Sequence, residues 1–262
     1  MRLVRALVTA SLVLGAASCI GSTGSGLVTF RASASGPSDV DAKAPFTSGL
    51  GYQVTLTRAK LHVGAVYLNR SVPSSGAQAT SCILPGIYVA QVLDGLDVDV
   101  LDPTPQAFPV NGDGTADHAS AGEVWLTGGD VTAEDDATVI LDVAGTAAKG
   151  GASFPFEGQL TIGKNRAVAP VDPSQPGTNP ICKERIVSPI PVDLAPKNGG
   201  ELRLEIDPRG WFDNVDFARL DKAGDAPLLY RFNDAPLEQP DANLFRAMRA
   251  ASADTYRFRW LP

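Results

Sequence analysis

Cysteine and histidine carry the most specific chemistry in this 262-residue sequence, and there are only five of them. The cysteines are Cys19, Cys82 and Cys182, and the histidines are His62 and His118. A thiol can be acylated, oxidised to a disulfide or bound to a metal, and a neutral imidazole is a common ligand of copper and zinc. The sequence around each residue favours one of these chemistries over the others.

Cys19 directly follows a short apolar segment, residues 6–18, which is preceded by two arginines. This order is typical of a secretory leader, and the segment is too short to span a bilayer. We expect residues 1–18 to be a lipoprotein signal peptide, with cleavage before Cys19 and acylation of its thiol. Because Ala16 stands where such signals favour Leu, Val or Ile, secretion after a cut near Ser18, without a lipid, is the alternative.

The residues after Cys19 predict where the anchored protein works. Gly21, rather than an aspartate, takes the second place after the cysteine, so the inner-membrane retention signal is not matched. We therefore expect an outer-membrane lipid anchor, with the protein facing the periplasm or the outside. Residues 19–26 are rich in glycine and serine, which predicts a flexible tether between the anchor and the folded part.

Cys82 and Cys182 are the even remainder once Cys19 carries the lipid. In an exported protein such a remainder is most simply a disulfide. Closing a loop of roughly 100 residues contributes about 4 to 5 kcal/mol in the chain-entropy model, before strain is subtracted. Redox or metal-binding thiols are the alternative, although neither cysteine has a second Cys or a His within ligand spacing.

His62 and His118 each lie within or beside a segment that predicts a strand. Two histidines brought together across a sandwich would form a minimal copper site, completed by a third donor or an aromatic neighbour. The alternative is that each is an ordinary surface or hydrogen-bonded histidine.

The remaining patterns select no reaction. Asp94, Asp97, Asp99 and Asp102 resemble a calcium cluster, but period-two spacing also places such carboxylates on the solvated face of a strand. Hydrolytic triads are disfavoured because only two histidines and no Gly-x-Ser-x-Gly elbow are present. Nothing singles out one pair of acids for glycoside hydrolysis, so we expect a protein that is not an enzyme and has no catalytic residues.

The cysteines, histidines and aspartates discussed above must be positioned by short segments in which apolar and polar residues alternate, separated by Gly- and Pro-rich turns. These segments predict an all-β fold, an antiparallel β-sandwich of the immunoglobulin-like or prealbumin-like kind. In residues 52–69 the apolar positions change parity, which predicts a bulge or a strand that enters a second packing environment. One short C-terminal helix is expected at residues 242–251 with Asp241 as its N-cap. We expect residues 27–262 to form a single domain.

The segment around Val28 and Phe30, the run from Tyr52 through His62 to Leu68, and the late Leu202–Asp207 strand with Trp211 carry a family resemblance. Together they resemble β-sandwich lipoproteins of the MbnP type, which are associated with copper. The resemblance implies an exported or lipid-anchored copper protein whose site uses histidines and a modified tryptophan. Of these residues, only His62 matches the family pattern.

The charge and the export signal define the expected function. A formal charge of −7 argues against nucleic acid or an anionic lipid surface as the main partner. The sequence favours a lipid-anchored, non-enzymatic binding or structural module of the cell envelope, which would bind an unidentified protein or glycan and need no cofactor. Exposed Tyr or Trp rings would hold a glycan. A copper-binding periplasmic or surface lipoprotein that uses His62 and His118 is the alternative.

Overall fold

The computed structural model describes residues 26–71, 87–127, 133, 136–163, 184–234 and 238–262. The leader, most of the tether, Cys19, Cys82 and Cys182 lie outside these ranges. The predicted anchor and the predicted disulfide are therefore outside the described residues. Both histidines lie within them.

Sixteen strands and one α-helix make up most of the described chain. The strands are β1 (Leu27–Ser35), β2 (Phe46–Thr47), β3 (Gln53–Val63), β4 (Ala65–Asn69), β5 (Tyr88–Val92), β6 (Leu96–Asp99), β7 (Gln106–Ala107), β8 (Gly112–Thr115), β9 (Ala119–Trp125), β10 (Val139–Lys149), β11 (Ala152–Thr161), β12 (Ile186–Leu194), β13 (Glu201–Ile206), β14 (Asp221–Asp225), β15 (Leu228–Phe232) and β16 (Tyr256–Leu261). The helix is α1 (Asp241–Met248).

The strands form two sheets. The larger has nine strands in the order β12-β9-β4-β5-β8-β1-β13-β16, with β7 also paired to β1. The smaller has seven, in the order β14-β15-β11-β10-β3-β2, with β6 also paired to β3. The all-β sandwich expected from the sequence is confirmed. Most neighbours are antiparallel, but β1 pairs with β13 and β11 with β15 in parallel, so both sheets are mixed.

One hydrophobic core lies between the sheets. Two 3₁₀ turns after β13, Arg209–Phe212 and Phe217–Arg219, carry buried aromatic rings under the smaller sheet. Phe217 lies 5.0 Å from Phe156 and 6.1 Å from Phe212, measured between ring centroids. Because each fully buried Phe contributes roughly 1.5 to 3 kcal/mol, this aromatic group is a main source of stability.

The predicted change of parity in residues 52–69 has two structural causes. β3 contains a bulge at Thr57, since Arg58 pairs with Ala144 and Leu56 with Gly145. Gly64 then separates β3 in the smaller sheet from β4 in the larger one. This segment both bulges and passes from one packing environment to another.

The C-terminal helix is present but begins differently from the prediction. Pro240 is the residue before the first turn, and no side chain caps the helix there. Asp241 is instead the first helical residue, and its buried carboxylate accepts a hydrogen bond of 2.5 Å from the backbone N–H of Asn233. The helix ends at Met248, three residues earlier than expected. No helix within the described ranges is long and apolar enough to cross a membrane.

The larger sheet curls so far that its two end strands, β12 and β16, lie close to each other. No backbone ladder joins these two strands in the part of the chain described. β12 contains Pro189 and Pro191, which have no N–H group to donate to a further strand. The sheet therefore approaches a barrel without closing, and a seam runs between its ends.

Candidate functional site

His62 lies on β3 and is held by an aspartate of the neighbouring strand. Its Nδ1 lies 2.6 Å from Oδ1 of Asp97, the residue opposite it on β6. The pair borders a shallow cleft of about 480 Å³ that Gly95 and Asp94 also line. Asp97 is 75% exposed, so water solvates the carboxylate of this pair.

The side chain of His118 is more exposed than that of His62. Its Nε2 lies 2.7 Å from Oδ1 of Asp193, and the two side chains are 60% and 94% exposed. An exposed contact of this kind contributes little to stability, since even a fully charged surface pair contributes only about 0 to 1 kcal/mol.

The structure does not bring the two histidines together, which corrects the expectation of a shared copper site. His118 directly precedes β9, and Trp125 at its other end accepts a hydrogen bond of 2.7 Å from Gly64 N–H, two residues after His62. Seven extended residues span about 23 Å, far more than the roughly 4 Å between nitrogens that bind one ion. Among the described residues, no group of three or more His, Cys, Asp or Glu side chains could hold a metal.

Three of the four aspartates in residues 94–102 accept hydrogen bonds within local turns, and the fourth, Asp97, contacts His62. Asp94, Asp99 and Asp102 each accept a hydrogen bond from a backbone N–H one or two residues further along, at 2.8 to 3.0 Å. Their carboxylates are therefore directed to separate N–H groups, which supports the solvated-strand interpretation over a calcium cluster.

The seam of the larger sheet contains a different candidate site, which we call the seam groove. It has a volume of about 510 Å³. Two chain segments form it: the end of β12 with the following loop, and the second half of β16. The lining residues are Asp193, Leu194, Ala195, Lys197, Phe258, Arg259, Trp260 and Leu261.

Glycine contacts position the two aromatic rings of the seam groove. A Cβ on Gly200 would lie 2.4 Å from Cζ2 of Trp260, and a Cβ on Gly122 would lie 2.6 Å from Cε2 of Phe258. Trp260 also packs edge-on against Phe30, with 5.2 Å between ring centroids. Both rings remain partly exposed, unlike most large aromatic side chains of the core.

Charged groups surround the aromatic rings of the seam groove. Asp193 contacts His118, and Arg259 forms an ion pair with Glu205, with 3.0 Å between Nη2 and Oε2. Lys197 is exposed and forms no ion pair within the described part of the chain. The seam groove thus combines an apolar floor with the cations of Lys197 and Arg259 and the carboxylate of Asp193, and Lys197 forms no ion pair among the described residues.

Another cleft, of about 430 Å³, lies on the outer face of the smaller sheet. Its two arginines are engaged: Arg58 donates to Asp142 over 3.0 Å and Arg231 to Glu157 over 2.8 Å. No aromatic ring face is exposed there, because Phe232, its only aromatic lining residue, is buried. The cleft offers less to an apolar or aromatic-stacking ligand than the seam groove.

A cluster of aromatic rings around a buried acid lies on β4, β5 and β9 of the larger sheet. The ring of Tyr67 is 4.9 Å from that of Tyr88 and 4.8 Å from that of Trp125. Glu123 is fully buried and accepts hydrogen bonds from Asn69 and from the Trp125 indole. Burial raises the pKa of Tyr88 to about 12, so its phenol is neutral at physiological pH.

Comparison with known proteins adds no relative. No protein-family model matches the chain, and no curated protein or solved structure is significantly similar to it.

Trp260, Phe258 and Lys197 are not among the site residues predicted from the sequence. The signal that could have found them is the final strand, in which Tyr256, Phe258 and Trp260 alternate with two arginines. That alternation places the rings on one face. It does not show that this face meets β12.

Proposed function

We propose that this protein is an exported, lipid-anchored binding module of the cell envelope, and that it is not an enzyme. Its ligand would bind in the seam groove. The observation that carries this proposal is the pair of partly exposed rings, Phe258 and Trp260, beside the exposed side chain of Lys197. Partly exposed aromatic rings with nearby polar groups are typical of ligand sites.

The scaffold supports such a role. Phe258 and Trp260 lie on a strand fully paired with β13, from Glu201–Leu261 to Ile206–Tyr256. Rings on a paired strand lose little further freedom when a ligand binds, which lowers the entropic cost of binding. The other wall of the groove includes Ala195 and Lys197 in the loop after β12, where side chains can adapt to a ligand.

A plugging substitution tests the location of the ligand. Ala195 lines the seam groove, so Ala195→Trp should fill it, whereas Ala148→Trp places the same ring on the exposed end of β10. We expect protein extracted from its own envelope to carry a small molecule detectable by native mass spectrometry. Ala195→Trp should lose that molecule and Ala148→Trp should retain it.

Retention of the same molecule by both variants would show that the ligand binds elsewhere.

A glycan is one form of this function, with a sugar ring stacked on Trp260. Gly200 and Phe30 already cover part of that indole, so only the remaining surface is open to a sugar.

A further inference from the structure

The seam groove opens at the end of the molecule where the described chain begins. The backbone N–H of Gly199 donates to Thr29 over 2.9 Å, and the N–H of Thr29 donates to the Asn198 side chain over 3.1 Å. These bonds attach the loop that carries Lys197 to Thr29, which lies two residues after Leu27 in the sequence. At the same end, Leu261 is paired with Glu201.

The lipid anchor would keep this end close to the membrane. Leu27 lies eight positions after Cys19, and a fully extended chain covers about 3.4 Å per residue, so at most roughly 27 Å separates them. Leu27 is 87% exposed, so β1 begins with an apolar side chain directed to the surroundings. A groove at this end lies within reach of lipid headgroups.

We infer that the ligand of the seam groove is a phospholipid with an anionic headgroup, drawn from the membrane that anchors the protein. This inference rests on the proposed function. The apolar side chains of Leu194, Phe258, Trp260 and Leu261 fit the glycerol and the first part of an acyl chain. Lys197, on the same groove, supplies the ammonium group for the phosphate.

The charge distribution favours an anionic over a zwitterionic headgroup. The chain has a formal charge of −7, so most of its surface repels anions. The seam groove differs, because its lining includes two cations, Lys197 and the Glu205-paired Arg259, and one carboxylate, Asp193. A choline headgroup would bring a second cation towards Lys197, and that contact is unfavourable.

The test uses the exported chain with Cys19→Ala, so that no detergent is needed. Dihexanoyl phosphatidylglycerol and dihexanoyl phosphatidylcholine are titrated below their micelle concentrations. Binding is followed by the indole N–H resonance of Trp260, which is assigned from its loss in Trp260→Phe. We expect a saturable shift with phosphatidylglycerol and about tenfold weaker binding of phosphatidylcholine.

Two lysine variants separate the headgroup contact from general charge. Lys197→Gln should weaken phosphatidylglycerol binding about tenfold, whereas Lys60→Gln, on the exposed face of β3, should leave it unchanged. Equal affinity for the two lipids, or an unchanged affinity in Lys197→Gln, would overturn the inference. So would the absence of any saturable shift with either lipid.

Further outcomes distinguish this inference from the proposed function. If neutral oligosaccharides shift the Trp260 resonance and lipids do not, the groove is a ligand site but the lipid assignment is wrong. If the lipids bind equally well to Ala195→Trp, they bind outside the groove and the inference also fails. If the envelope-extracted protein carries no molecule sensitive to Ala195→Trp, the proposed function itself fails.

Discussion

At the scale of single residues, burial changes the chemistry of one carboxyl group most clearly. Asp241 is only 6% exposed at the start of α1, and desolvation raises its pKa to about 6. The hydrogen bond from Asn233 N–H favours the charged form but does not offset the burial. Folding therefore favours the protonated acid.

The sign of the resulting pH dependence follows from this raised pKa. Below about pH 4 the carboxyl is protonated in both the folded and the unfolded chain, so it carries no penalty. As the pH rises from about 4 to 6 the unfolded chain ionises first, and the folded state loses stability. We expect Asp241→Asn to stabilise the protein by about 1 to 3 kcal/mol at pH 7.5 and to have little effect near pH 4.

Urea unfolding of the wild type and Asp241→Asn at both pH values measures this difference. Asp254→Asn removes an exposed carboxyl and serves as the control. A destabilising effect of Asp241→Asn at pH 7.5 would show that the carboxylate is stabilised by its hydrogen bonds more than it is penalised by burial.

For the two histidines, the sequence predicts the strand context but not the hydrogen-bond partner. Their number and their strand contexts are visible in the sequence, and both are found beside or within strands. Their partners, Asp97 and Asp193, depend on which strands pair. β3 pairs with β6 across a long connection, and β12 reaches β9 from a distant part of the chain. Spacing alone does not contain this information.

At the scale of elements, alternation predicted the strands well because each strand has one face in the core. The bulge in β3 was predicted in the same way, since an extra residue reverses the parity of everything after it. The parallel pairing of β1 with β13 was not, because the two strands lie about 170 residues apart and their side-chain patterns fit either direction. The seam groove shares this difficulty: it exists only because β12 and β16 meet.

The bulge makes a specific demand on the neighbouring strand. A Cβ on Gly145 would lie 2.3 Å from the carbonyl oxygen of Thr55 and 2.9 Å from the ring of Phe156. We expect Gly145→Ala to destabilise the protein by about 2 to 4 kcal/mol, because backbone and a buried ring must both move. Chemical denaturation measures the change in the free energy of unfolding.

Gly210→Ala is the matched control, since the nearest atom to its added Cβ would be 4.0 Å away. It should change the free energy of unfolding by less than about 0.5 kcal/mol. Equal effects of the two substitutions would mean that the close approach at Gly145 does not set the cost.

At the scale of the whole molecule, the predicted lipid anchor would set the location of the protein and the predicted disulfide would add to its stability. Cys19→Ala should move the protein from the membrane fraction to the soluble fraction, because the remaining chain has no other predicted lipid attachment. Fractionation with immunodetection measures this. A variant that stays in the membrane pellet would contradict the anchor.

The predicted bond between Cys82 and Cys182 makes a separate demand on the whole chain. The mature lipidated protein should show no free thiols before reduction and two afterwards, in a titration under denaturing conditions. Reduction should lower the free energy of unfolding by a few kcal/mol, since the loop is long. Two reactive thiols in the unreduced protein would exclude the disulfide.

Pro189 and Pro191 on the end strand β12 affect how copies of this protein would interact on the membrane to which the predicted anchor attaches them. Copies held by the predicted lipid anchor would share a thin layer, so their sheet edges would meet far more often than those of freely diffusing molecules. The two prolines withhold donors from a neighbouring strand, and at the end of the smaller sheet β14 presents Asp221, Lys222 and Asp225. These strands resist pairing with another copy, so a dense coat of this protein should stay a population of separate molecules and resist fibril formation.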